Sequence, residues 1–177
     1  MKTLHRFNRI VLATACAALT FVGHPSNAKA APPVNVKLFT ANAGSAATLT
    51  ATTNPAVFNA SATGVIQSSS LGTCVNNVQL EVRFPASPDQ PILANGTATW
   101  TTIDGASSLK VTVTGTATPD PANPAFLNVK YQLSITGGTG VYASATGVAE
   151  AEEVVMFTSP TTATTTWNMK GLLVIPR

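Results

Sequence analysis

Beyond residue 30 the chain alternates apolar and polar residues with a period of two. That period admits strands and excludes amphipathic helices. Val78, Leu80, Val82 and Phe84 fall on one face, with Gln79, Glu81 and Arg83 on the other. Leu109, Val111 and Val113 alternate with Lys110, Thr112 and Thr114, and Val129, Tyr131, Leu133 and Ile135 with Lys130, Gln132 and Ser134. The pattern predicts strands near 34–40, 47–53, 64–70, 74–84, 96–102, 109–118, 126–136, 147–155 and 163–175. Turn formers separate them: Asn54-Pro55, 85–91, Asp104-Gly105, 119–124, 137–140 and Ser159-Pro160. Asp104-Gly105 reads as a hairpin turn, where positive φ is needed.

Long strands with two faces of different polarity suit a closed barrel or a sandwich. Closure also removes exposed edges. The expected fold is all-β: an antiparallel barrel of eight or nine strands over residues 31–177, with a β-sandwich as the alternative. A lipid-spanning barrel needs an apolar outer band flanked by aromatic girdles. Trp100, Trp167, Tyr131, Tyr142, Phe39, Phe58, Phe84, Phe126 and Phe157 are scattered instead, and the chain ends Ile175-Pro176-Arg177.

The first thirty residues read differently. Lys2, His5, Arg6 and Arg9 form a basic start, and Ile10 to Val22 is an uncharged, mostly apolar run. Gly23, Pro25 and Ser26 break it before Ala28-Lys29-Ala30. This is the order of a secretory signal peptide cut after Ala30, and the apolar run is too short to cross a bilayer. The mature protein is therefore expected to be secreted or periplasmic, with no membrane span after cleavage.

Cleavage changes the chemistry available. Both histidines, His5 and His24, leave with the signal, as do Cys16 and four of the 10 basic residues. The formal charge of +3 thus belongs to the signal, and the remainder is near neutral. Nucleic acid is not an expected partner. Without His there is no Ser-His-Asp or Cys-His catalysis. No metal site and no cofactor are expected. Cys74 cannot form an internal disulfide, and it opens a strand-like run, so it reads as a small buried hydrophobe.

One local motif stands out: Ser134-Ile135-Thr136-Gly137-Gly138-Thr139-Gly140-Val141-Tyr142-Ala143-Ser144-Ala145-Thr146-Gly147. Gly137, Gly138, Gly140 and Gly147 read as a structural turn motif that allows positive φ and close backbone approach. A phosphate loop is excluded, since a strand rather than a helix follows and no Lys-Ser/Thr closes it. The stretch resembles the G-G-T/S-G-x-F/Y-x-x-A-x-G segment of dirigent proteins and allene oxide cyclases. An acidic strand (Glu150, Glu152, Glu153) and Trp167-Asn168-Met169-Lys170-Gly171 continue the likeness through about the last forty residues. The resemblance implies an eight-stranded antiparallel barrel with a cavity for an apolar small molecule. It also implies many exported bacterial relatives without an assigned role, and assembly through outer barrel faces. A homo-oligomer is one expectation that follows.

Candidate functional residues are few. Asp89, Asp104 and Asp120 sit in turns, where carboxylates cap backbone amides. Glu150 and Glu152 share a strand face with Val148 and Val154, and Glu153 faces the other way. Glu150, Glu152 and Lys170 are the candidate ligand-binding residues if their face lines a cavity. The competing reading is a solvated face with Lys170 paired across the last strands. The leading functional expectation is an exported barrel that binds an apolar small molecule without turnover. The alternatives are a structural or adhesive surface protein, with Cys74 as a cross-link, and a cyclase- or dirigent-like enzyme. No catalytic residue carries over from either family. A lumen packed solid with side chains argues against binding; an open apolar lumen with one acidic group argues for it.

Overall fold

The computed structural model describes residues 33–177 apart from Pro88. The expected signal peptide, 1–30, lies outside the described residues. Eight strands follow one another: β1 (Val34–Ala51), β2 (Val57–Ser68), β3 (Gly72–Arg83), β4 (Ile92–Thr102), β5 (Ser108–Asp120), β6 (Asn123–Thr139), β7 (Thr146–Ser159) and β8 (Thr162–Pro176). A short 3₁₀ turn, Gly140–Tyr142, joins β6 to β7. Each strand pairs antiparallel with the next, and β8 returns to β1, closing a barrel. The closing seam runs from Val34 opposite Pro176 to Thr48 opposite Thr162. The sheet is thus one closed surface, and the sandwich alternative is set aside.

The strand count resolves to eight because two expected strands are one. The expected strands 34–40 and 47–53 leave 41–46 between them, yet β1 runs through that stretch unbroken. These residues have ladder partners on both sides: Gly44 faces Val65 on β2 and Thr166 on β8. Two neighbouring ladders override the weak strand preference of a glycine. The expected connection at 137–140 is also shorter than its glycines indicate. β6 extends to Thr139, and a register shift on the β5 side between Lys110 and Val111 lets Gly137 and Gly138 keep pairing. Gly140 takes φ +57° as the chain enters the 3₁₀ turn. The Asp104-Gly105 hairpin is as expected, with Gly105 at φ +72°.

The alternation now has a direction. Along β3, Cys74, Asn76, Val78, Leu80 and Val82 point inward. On β5 and β6 the apolar members of each pattern are the inward ones, while Lys110, Thr112, Lys130 and Gln132 are exposed. On these strands a polar outside and an apolar inside reverse the arrangement of a lipid-spanning barrel, whereas β1, β7 and others also expose apolar residues such as Leu38 and Val148.

The two ends of the barrel differ. Near the β6–β7 connection large side chains meet across the axis: Phe39, Ile66, Trp100, Leu109 and Leu173 are all buried. The Phe39 and Trp100 rings meet edge-to-face at 6.4 Å and 77°. Tyr142 of the 3₁₀ turn covers this plug, and Cys74 lies within it. Each such side chain contributes about 1.5–3 kcal/mol by leaving water. Toward the other end the inward residues of β1, β2 and β4 shrink to Ala47, Ala60, Ala62, Ala94 and Ala98. These are too short to meet in the middle. Stability is therefore expected to reside at the plug. Leu109→Ala should lower unfolding free energy by about 2–5 kcal/mol, and Leu127→Ala, on the half-exposed lumen wall, by less. Chemical denaturation followed by tryptophan fluorescence checks both.

Candidate functional site

Above the plug the barrel encloses a cavity of about 120 Å³. A cavity of about 150 Å³ accommodates benzene, so this one has the scale of a single small ring. Its wall is almost entirely apolar. Alanines of β1, β2 and β4 form one side, and Val113, Leu133, Trp100 and Trp167 contribute larger surfaces. Leu49, Phe84, Leu127 and Phe157 lie at strand ends around the loop-side rim.

Into this wall project a few polar groups. Glu153 on β7 is the one charged side chain that lines the cavity among the described residues, and no basic side chain lines it. The wall encloses Glu153, yet it keeps some accessible surface because it faces the lumen. The Tyr131 hydroxyl of β6 donates to Glu153 Oε2 at 2.8 Å. Gly115 on β5 stands directly opposite Tyr131, and a Cβ there would overlap the phenol ring. The absent side chain of Gly115 is therefore what gives Tyr131 its place.

Burial raises the Glu153 carboxyl above the ordinary carboxylate range. The bond from Tyr131 and the nearby Thr165 hydroxyl pull it back only in part. Thr165 lies near enough to favour the anion, but its Oγ1 completes no hydrogen bond. The Tyr131 phenol is pushed well above its usual value, first by burial and then by the charge of Glu153 and the bond to it.

A second polar feature adjoins the pair. Asn76, Ser45 and Thr165 all line the cavity, and their side-chain polar atoms are buried without partners. They form a row: Asn76 faces Gly64, Gly64 faces Ser45, and Ser45 faces Thr165, across β3, β2, β1 and β8. None of these side chains finds a protein partner, so their hydrogen-bonding capacity is turned toward the lumen.

The candidate residues from sequence lie elsewhere. Glu150, Glu152 and Lys170 are exposed on the outer face. Lys170 Nζ sits 3.8 Å from Glu150 Oε2, and Gln132 Nε2 donates to Glu150 Oε1 at 3.4 Å. Glu150 and Lys170, with Leu38, Val148 and Leu172, border a more open depression of about 520 Å³ outside the barrel. Sequence reasoning placed Glu153 on the opposite face from Glu150 and Glu152, and that opposite face is the inner one. The available signal was its company: Ala149, Ala151, Val155 and Phe157 share its parity and carry no charge. Gly137, Gly138, Gly140 and Gly147 belong to the plugged end rather than to the lumen. Among the described residues no three metal-ligating side chains gather.

Among solved structures, the barrel is similar to that of a pterocarpan synthase dirigent protein, at 10% sequence identity over 89% of this chain and 100% of that chain, with a TM-score of 0.48. No family model matches the sequence, and no curated protein matches it.

The raised Glu153 carboxyl has a consequence for stability. Below roughly pH 4, the ordinary glutamate range, both folded and unfolded chains hold the proton and no penalty exists. As pH climbs toward the raised folded value, the unfolded chain releases its proton first, and the folded state loses stability. Glu153→Gln removes that dependence. The variant should therefore gain on the natural protein between about pH 4 and pH 7. Urea unfolding at the two pH values measures the shift, and a difference that stays constant with pH contradicts it.

Proposed function

We propose that this is an exported barrel that binds a compact apolar molecule in its lumen. The observation that carries the reading is the cavity itself. Small inward side chains keep it open, and an apolar wall with a few polar groups is the usual make-up of a small-molecule site. A solvent-filled channel would have a polar wall, and a purely structural barrel would fill its interior with side chains as the opposite end does.

A catalytic role, cyclase- or dirigent-like, would rest on Glu153 rather than on Glu150 or Glu152, since only Glu153 meets the lumen. The structural or adhesive alternative drew on Cys74 as a cross-link between chains. That thiol is 2% exposed, its Sγ lies 3.9 Å from the Leu71 carbonyl, and burial raises its pKa. A thiol reagent should therefore leave Cys74 untouched in the native protein and label it fully once the chain is unfolded. Rapid native labelling would return support to the cross-linking role.

Binding is tested with a neutral aromatic probe such as toluene. Titration should give saturable shifts of cavity resonances in NMR spectra, with Kd about millimolar or tighter for a ligand of that size. Ala62→Leu, which pushes a larger side chain into the lumen, should weaken binding at least about tenfold. Leu38→Ser, in the outer depression, should leave it unchanged. Binding lost in Leu38→Ser and kept in Ala62→Leu would move the site to the outer face.

A further inference from the structure

The lumen has a charge preference that its apolar wall conceals. We propose that it selects a compact organic cation, a protonated amine on an apolar frame, held between the Glu153 carboxylate and the aromatic surfaces of Trp100, Tyr131 and Trp167. The inference rests on the lumen being the binding site and names the class of molecule that it takes.

Three observations converge on a cation. First, Glu153 lines the cavity and no basic residue does. A carboxylate in a low-dielectric enclosure without a counter-charge attracts a positive ligand and repels an anion far more strongly than in water. Tyr131 is the other titratable group that faces Glu153. It donates its proton to that carboxyl and brings no positive charge. The remaining neighbours on β8 are Thr165 and Trp167, which do not titrate in this range.

Second, the unpartnered polar atoms lie beside the carboxylate. Thr165 is 5% exposed and its hydroxyl, though near Glu153, completes no hydrogen bond; Ser45 opposite it also finds no protein partner. An ammonium group carries three donors, whereas an alcohol carries one. A buried ion pair is favourable only when its remaining hydrogen-bonding capacity is met. Small side-chain adjustments at Thr165 and Ser45 supply acceptors for the donors that Glu153 leaves free.

Third, two aromatic side chains adjoin the acid and a third lines the same cavity. Trp167 is the direct cross-strand partner of Glu153, Tyr131 is bonded to it, and Trp100 forms part of the same wall. Indole and phenol faces attract cations, and more so where water is excluded. A neutral ligand uses such surfaces only as apolar area.

The test is a matched series on the folded protein at about pH 8, where an alkylammonium keeps its proton. Toluene, benzyl alcohol, benzylamine and benzoate are titrated by NMR or calorimetry. Benzylamine should bind at least about tenfold more tightly than benzyl alcohol, and benzoate more weakly than toluene. Glu153→Gln should bring benzylamine to the level of the alcohol while changing toluene affinity less than about twofold. Thr165→Val should weaken benzylamine severalfold while toluene binds no more weakly, so that the ratio of the two affinities falls. That variant carries the test by itself if Glu153→Gln does not fold. Equal affinity for amine and alcohol, or an amine preference that survives both substitutions, overturns the proposal. If toluene and benzyl alcohol bind without any amine preference, the cation inference fails and lumen binding stands. If none of the four binds, lumen binding fails as well.

Discussion

Pairing of the first strand with the last governs everything else in this molecule. While β8 is free, each strand has two possible faces and the sheet has two raw edges. Once Val34 to Thr48 engage Pro176 to Thr162, the sheet has an inside. Because successive side chains point to opposite faces, that single event assigns every residue of all eight strands to lumen or solvent. A shift of one residue at the seam would turn Phe39 and Ala41 outward and bring Leu38 and Thr40 in. The buried Phe39–Trp100 contact holds the seam against such a slip.

Given that assignment, the cavity follows from volumes. Eight strands enclose a space that side chains can just fill if they are large. At the plugged end they are: Trp100, Phe39, Leu109, Ile66 and Leu173 occupy it. At the other end alanines of β1, β2 and β4 leave the middle open, while a second, smaller cluster of Ile92, Ala117 and Val129 with Val82, Phe84, Leu127 and Val155 packs along β3 to β7. The larger buried cluster lies at the plugged end. The plug anchors the strands, so the lumen wall need not carry the stability of the barrel.

Much of this was legible in the sequence. Alternation in β3, β5 and β6 gave the two faces of those strands, and the low charge fitted a chain whose outer face is covered by Thr, Asn and Gln. Closure was not legible from composition, because a sandwich uses the same period. The stretch 41–46 falls between two expected strands since local preference there is weak, and only its two neighbouring strands make it regular. On β7 both faces carry acid and both carry apolar residues. Periodicity separated Glu153 from Glu150 and Glu152, and the uncharged company of Glu153 (Ala149, Ala151, Val155 and Phe157) was only a weak sign of which set faces in. The assignment itself came from the register with β6 and β8, which no local reading contains. The export expectation rests on residues 1–30, which lie outside the described residues.

The lumen also shows why its polar groups are informative. An apolar core gains nothing from a buried carboxyl or from hydroxyls and an amide that find no protein partner. Valine at Thr165 or leucine at Asn76 would fit the same strand positions with better burial. Gly115 adds a second concession, leaving a gap in β5 that Tyr131 fills so as to reach Glu153. A wall that accepts both losses is not optimised for its own packing. If the lumen is the binding site, as proposed, its occupant is small enough for about 120 Å³, apolar enough for the wall, and able to meet the one negative charge that lines it among the described residues.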